Sequence, residues 1–351
     1  MKREHIFKFY EEDAHQHWKE NEGGYAGYMS VRQGDELTLH ISNARSYYDV
    51  HIFHEGASRE LVKTIRGLRG NLQPVPETGY RDGFGWKVTT AFTIPSDWCS
   101  GVYFAVFPTG QGLREILFVV RSRQPRGGIL LTIEANTYAA YNPVGGACLF
   151  PYISREGAWS KTVSLQRPLQ PGFMGGWYAW DMFFVTWLAA EGFQVDFCIN
   201  SDLDQDPSLL DPYRTHLRIG HGEYVSRNEC LSLQSFVRRG GNLAVFAGNA
   251  FWHEVETVGR HQVFCEKTRY AEKPLGDEPG GQTSFLMNID QMRQRTIGVH
   301  YTSCTHSPTG PGGLNSPAEF AVKAPPTGLY AGQYFEASPL APNSPFGFYS
   351  E

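Results

Sequence analysis

Two residues in the stretch "IGHGEYVS" could do chemistry together. His221 carries an imidazole able to move protons near neutral pH, and Glu223, two positions on, carries a carboxylate. Two other stretches hold groups of the same kind. "EANTYAAYN" supplies Tyr138, Tyr141 and Asn142, and "FAGNAFWHEV" supplies Asn249, Trp252 and His253. Phenol, carboxylate, imidazole and amide together make an oxygen- and nitrogen-rich set. Such a set could hold a hard cation, activate water or hydrogen-bond a polarised carbonyl. Tyrosinate is a hard anionic ligand, which points to ferric iron before zinc or magnesium. Each group also has a structural use. The tyrosines could be core residues with a bonded hydroxyl, His221 could bond a backbone carbonyl, and Asn249 could take the turn conformation after a strand.

Other chemistries lack their signatures. There is no H-E-x-x-H, no C-x-x-C pair and no Asp-rich calcium loop; the acidic run "SDLDQDPSLLDPY" reads as a helix start at Asp206-Pro207-Ser208. A nucleophile elbow would need Ser or Cys at a tight strand-to-helix turn. The loop that would hold it reads "GHGEYVS", where Ser226 is explained as a helix N-cap.

The elements that must position these groups fall into two kinds. From Met29 to Arg121, short alternating runs such as "ELTLHIS", "DVHIFHE" and "GVYFAVF" are broken by Gly, Pro, Asp and Asn. This spacing predicts an immunoglobulin-like antiparallel β-sandwich. After "SRQPRGG" the pattern changes to buried strands separated by helical periods. "GILLTIEA", "FQVDFCIN", "HLRIGH" and "NLAVFAGN" read as parallel strands. "YAWDMFFVTWLAAEG" reads as a helix ending at Gly192, and Ser226 with Glu229 forms a capping box for another that stops at Gly240-Gly241. The expected domains are 1–121 for an N-terminal segment and the sandwich, 122–128 for a linker, and 129–351 for a parallel-sheet, glutamine-amidotransferase-like α/β domain. Beyond Pro274, long Gly- and Pro-rich loops with an amphipathic stretch near Phe285 to Arg295 are expected to pack on that domain. In an open parallel sheet, ligands bind at the carboxyl ends of the strands. The Tyr138/Tyr141, His221/Glu223 and Asn249 loops all leave from that edge.

Composition excludes several partners. The chain has 351 residues, is 41% hydrophobic and 19% charged, and carries a net charge of -5 with only loose basic sets such as Lys63, Arg66 and Arg69. Nucleic acid and anionic membrane are therefore not expected. "MKREHIFKFYEEDAHQHW" lacks the apolar core of a signal peptide, and six cysteines are scattered without pairs. A cytoplasmic protein with reduced core cysteines is the expectation.

The blocks "IPSDWCSGVYFAVF", "TYAAYN", "GFQVDFCINSDLDQDPSLLDPYRTHLRIGHGEYVS", "FVRRGGNLAVFAGNAFWHEV" and "GRHQVFCEK", in this order, resemble the N,N-dimethylformamidases. The resemblance is to the C-terminal part of their large catalytic subunit and covers most of Gly27 to Lys267. It implies a mononuclear non-haem iron, Fe3+, held by two tyrosines and a glutamate, with a histidine and an asparagine beside it. On matching positions the ligands are Tyr103, Tyr141 (with Tyr138 as the alternative) and Glu223, and the catalytic residues are His221 and Asn249. Tyr103 lies in the sandwich. If Val102, Phe104 and Val106 fill the sandwich core, alternation turns Tyr103 outward, where it could reach the α/β domain.

The implied reaction is hydrolysis of the C–N bond of a small amide such as N,N-dimethylformamide to formate and an amine. The implied assembly is a homo-oligomer, with a small subunit as a further partner. Two departures stand out. The family's large subunit carries an additional N-terminal lectin-like domain, whereas this chain starts close to the sandwich, and Gly222 stands where relatives often have a small polar or acidic residue. The rival expectation is a metal-free glutamine-amidotransferase-like module that binds a ligand such as a glycan.

Overall fold

Alternation of side chains between residues 23 and 121 builds two sheets over a shared core. In β3 (Glu36–Ser42), Leu37, Leu39 and Ile41 are buried while Thr38 and His40 between them are half-buried, the period of two of a strand. β3 lies between β1 (Gly23–Ala26) and β6 (Thr90–Thr93), antiparallel to both. The second sheet has the order β2 (Ser30–Arg32), β8 (Gly112–Arg121), β7 (Gly101–Thr109), β4 (Tyr47–Glu55), β5 (Arg59–Arg69). Its pairs are antiparallel except β2 with β8. The computed structural model describes residues 21–125, 127–150, 153–157, 160–170, 176–266 and 292–298, which fall within the compact unit Met1–Val299.

β7 alternates as expected, but its faces are the reverse of the expectation. Tyr103, Ala105 and Phe107 pack with Leu37, Leu39, Ile41 and Val50 in the core shared by the first two sheets. Val102 and Phe104 pack instead with Leu131, Ile133, Leu217 and Ile219. The physical reason is that β7 is buried on both sides, so a period of two cannot tell which face meets which layer. Three rings settle it: Tyr103 stacks between Trp98 at 4.8 Å and Phe118 at 5.5 Å.

The second half supplies a parallel sheet of order β11 (Val195–Ile199), β9 (Ile129–Ile133), β12 (Thr215–His221), β14 (Asn242–Gly248). All three pairings are parallel. These are the four runs read as strands from the sequence. Helix α1 (Ala135–Ala140) follows β9, α2 (Met182–Ala190) precedes β11, α3 (Asn200–Gln205) follows it, and α4 (Arg227–Arg238) leads into β14. Ser226 and Glu229 form the expected capping box, and Asp206 accepts from Ser208 N at 3.1 Å to start the turn Pro207–Leu210. α2 is entered through a π-helical turn, Trp177–Asp181, which apolar periodicity alone does not distinguish from an α-turn.

A fourth sheet was not legible in advance. It has the order β10 (Thr162–Ser164), β16 (Gln262–Phe264), β15 (His253–Val258), β13 (Tyr224–Ser226). Three of its strands are three residues long, too short for a pattern to emerge. A buried aspartate ties the first sheets to the parallel one. Asp202 on α3 accepts from Ser30 Oγ at 2.6 Å and from its own Ile199 N at 3.0 Å, and pairs with Arg121 and Arg260 at 3.3 and 3.1 Å.

Of the described cysteines, Cys148, Cys198, Cys230 and Cys265 are buried and Cys99 is exposed; Cys304 lies outside the described residues. No helix among the described residues is long and apolar enough to cross a membrane. Of the region expected to form C-terminal loops, only the stretch 292–298 is described, where Met292–Ile297 is helical.

Candidate active site

The parallel sheet delivers its polar residues at the carboxyl ends of β9 and β12, as the edge rule for such sheets requires. β9 ends at Ile133, and Glu134 takes the N-cap position of α1. Tyr138 and Tyr141 leave that short helix into different surroundings. Tyr138 packs with Val102, Trp177 and Val185, and its hydroxyl donates to Asp181 Oδ2. Tyr141 packs with Leu149, Tyr224 and Val255, and its hydroxyl donates to Glu223 Oε2 at 2.5 Å. β12 runs through His221, whose Nε2 lies 3.1 Å from the same oxygen. Tyr141 and His221 stack with ring centroids 5.6 Å apart.

Tyr141, His221 and Glu223 are therefore brought together, and Tyr138 and Tyr103 are not part of that cluster. Tyr103 is 1% exposed within the first core and donates to Cys99 O at 2.8 Å. Asn249 follows β14 in the left-handed region, φ 47°, and no hydrogen bond among the described residues joins its side chain to the three.

His253 completes the cluster from a direction the sequence did not reveal. Its Nε2 lies 3.2 Å from Glu223 Oε1, and its backbone N–H donates to Glu223 O at 2.8 Å. Parallel pairing of β13 and β15 sets Tyr224 opposite His253. Reading this required knowing that "EYVS" and "HEVETV" pair.

Burial works against a charge on Glu223, which is 5% exposed. The hydrogen bonds and positive charge of His221 and His253 outweigh it and hold the carboxyl well below its usual range. Glu223 is thus a carboxylate at neutral pH. The contrast with Asp181 is instructive. Burial pushes Asp181 well above the carboxylate range, and the Tyr138 hydroxyl opposes this only in part while Glu134 adds to it. The two carboxyls of this region are thus shifted in opposite directions.

Beneath the site lies a fully buried ion cluster. Arg218 on β12 donates to Glu134 Oε1 and Oε2 at 2.6 and 2.7 Å, and to Glu229 Oε1 at 2.5 Å. Asn200 bridges the same two carboxylates at 2.9 and 3.0 Å. The cluster ties the start of α1, which ends just before Tyr141, to β12, which ends at His221 two residues before Glu223. Its signal in the sequence was an arginine inside the apolar run "HLRIGH". Gly222 fits because it has no side chain: a Cβ there would lie 2.9 Å from Glu134 Oε1.

Among the described residues no group of three or more His, Cys, Asp or Glu side chains converges to hold a metal. A cation here would use the Tyr141 phenol beside Glu223 Oε2, with His221 Nε2 as a nitrogen neighbour. Two adjacent oxygens, one already anionic, suit a hard Lewis-acidic ion. The third oxygen donor of the implied iron site, Tyr103, is committed to the first core.

Comparison with known proteins adds one clear match. No curated protein matches. A solved structure, an uncharacterized protein from Bacillus anthracis str. Ames, is 15% identical over 29% of this chain and 86% of its own, with a TM-score of 0.20, too low to bear on the fold. The family model described as N,N-dimethylformamidase beta subunit-like, C-terminal, matches residues 47–338. That span includes Tyr141, His221, Glu223, Asn249 and His253, and it extends over most of the chain. The chain belongs to the N,N-dimethylformamidase beta subunit-like, C-terminal family.

Proposed function

We propose that the protein is an amidohydrolase that cleaves the C–N bond of a small N-substituted amide, such as N,N-dimethylformamide, to formate and an amine. The observation that carries this reading is the contact of the Tyr141 phenol and the His221 imidazole with one oxygen of the buried Glu223 carboxylate. Family membership supports a hydrolase of this kind. We read the fold as a β-sandwich followed by a glutamine-amidotransferase-like α/β domain, and the protein as cytoplasmic. The family's reference to a beta subunit supports a multi-subunit assembly, as a homo-oligomer or with a small subunit.

A tertiary formamide has no N–H, so recognition acts through its carbonyl oxygen and its apolar substituents. Tyr141 and Glu223 would hold a mononuclear iron, which when bound supplies Lewis acidity for the amide carbonyl or for water. In its neutral form His221 accepts a proton from the attacking water and returns one to the departing nitrogen. In balance, the water oxygen bonds to carbon, the C–N bond breaks, the amine leaves protonated at nitrogen and formate leaves as the anion. Asn249 donates its side-chain N–H to the oxygen on which negative charge develops. Tyr224 and Phe150, packed on Tyr141 at 5.9 and 5.1 Å, limit water at the phenol.

The test is direct. Purified protein is assayed for iron, for a visible tyrosinate-to-ferric absorption band, and for formate release from N,N-dimethylformamide. Colourless, iron-free protein after reconstitution refutes the iron site, and iron-loaded protein that releases no formate refutes the reaction.

A further inference from the structure

Glu223 has two carboxylate oxygens in unlike surroundings. Oε2 meets Tyr141 and His221, and Oε1 meets His253 Nε2 at 3.2 Å. A glutamate has enough torsional freedom to turn its carboxylate, so one orientation persists only where the oxygen away from the reaction is also held. We propose that His253 is a positioning residue, which holds Glu223 Oε1 and thereby presents Oε2 to Tyr141 and His221.

His253 is built for that task on three sides. Its main chain is fixed to the main chain of Glu223 by the N–H to carbonyl bond of 2.8 Å. Its ring is covered by Tyr224, fully buried, with centroids 4.7 Å apart and planes 32° from parallel. The loop that delivers it, between β14 and β15, contains two residues other than glycine in the left-handed region, Asn249 and Phe251. Such backbone persists only where its surroundings over-determine it. Here Phe251 N donates to Gly222 O at 2.8 Å, Gly222 N donates to Gly248 O at 3.2 Å, and the buried Phe251 ring lies 5.0 Å from the Arg218 guanidinium. The loop is thus zipped onto the backbone of Gly222 and Glu223 themselves.

The kinetic side of the inference rests on the proposed hydrolytic reading, whereas the orientation of Glu223 does not. The test compares full-length wild type with His253→Ala and His253→Gln, because a glutamine amide can donate from near the position of Nε2. Crystal structures are expected to show the Glu223 carboxylate turned in the alanine variant and restored in the glutamine variant. With N,N-dimethylformamide, kcat is expected to fall about 10–100-fold in the alanine variant with KM little changed, to recover within about threefold in the glutamine variant, and iron affinity to follow kcat. A folded alanine variant that keeps Glu223 in place, or a folded glutamine variant that does not restore it, overturns the proposal. If wild type binds no iron and releases no formate, the proposed function fails, and the Glu223 orientation alone decides the role of His253. Should the alanine variant not fold, the glutamine variant decides: Glu223 held supports the proposal, and Glu223 turned away overturns it.

Discussion

Replacing Arg218 with methionine is expected to destabilise the protein in a pH-dependent way, and the size of the effect follows from the buried cluster. Arg218, Glu134 and Glu229 have fully buried side chains, and the guanidinium makes three bonds of 2.5–2.7 Å to the two carboxylates. Methionine fills similar volume but leaves two carboxylates facing each other without a counter-charge. Breaking a buried pair from one side costs about 3–5 kcal/mol. At roughly 2 °C per kcal/mol for a chain of this size, Tm should fall by about 6–10 °C.

The sign of the pH dependence comes from Glu229. Burial already pushes its carboxyl up to about 7 from 4.5; Arg218 opposes this and Glu134 adds to it. A carboxyl raised on folding imposes no penalty below its unfolded value, an increasing one as pH rises toward its folded value, and the full one above. Without Arg218 the folded value rises further, so the penalty keeps growing above neutrality. The difference in Tm between wild type and Arg218→Met, followed by circular dichroism from pH 5 to 8.5, should therefore be smallest at pH 5 and widest at pH 8.5. Adding Glu134→Gln and Glu229→Gln should recover most of the loss, because the unpaired charges are gone. A single variant within about 2 °C of wild type at pH 8, or a loss equal at both ends of the range, would refute the reasoning.

Three further outcomes separate site from scaffold. Tyr141→Phe should lose iron and the visible band, whereas Tyr103→Phe should keep both and lose about 1 kcal/mol of stability with its bond to Cys99 O; metal analysis with thermal melts checks the pair. His221→Ala should retain iron but lose about 10²–10⁴ in kcat, read by formate release from iron-loaded enzyme. Gly220→Ala should destabilise by at least about 2 kcal/mol, since φ is 69° there and the new Cβ would collide with Asp181 Oδ1; denaturant titration measures it.

The parallel strands were legible because each is a short run rich in apolar residues, set off by helical periods and caps. Ser226 with Glu229, and Asp206 before Pro207, are rules of local backbone chemistry that tertiary contacts had no reason to override. His221 and Glu223 stood out because nothing local explained them. Tyr103 shows the limit: both faces of its strand are buried, and alternation carries no label for which layer each face meets. Tyr138 and Tyr141 could not be separated by spacing, since their difference lies in what faces them, Asp181 in one case and Glu223 in the other. His253 was noted in its loop but given no role, for a related reason. Its role depends on pairing between strands too short to announce themselves.

That small sheet also bears on when the cluster becomes complete during folding. Thr162 pairs with Phe264, about a hundred residues away along the chain, and Tyr141 meets Glu223 across a separation of 82 residues, whereas β13 and β15 are neighbours in sequence by comparison. Pairings of such long sequence separation form slowly, because loop closure must precede any gain from the contact. The stretch from β12 to β15 can therefore assemble first, bringing His253 to Glu223, while Tyr141 arrives only when β9 aligns with β12. A refolding experiment should accordingly recover the far-ultraviolet signal of the sheet before it recovers the capacity to hold an ion.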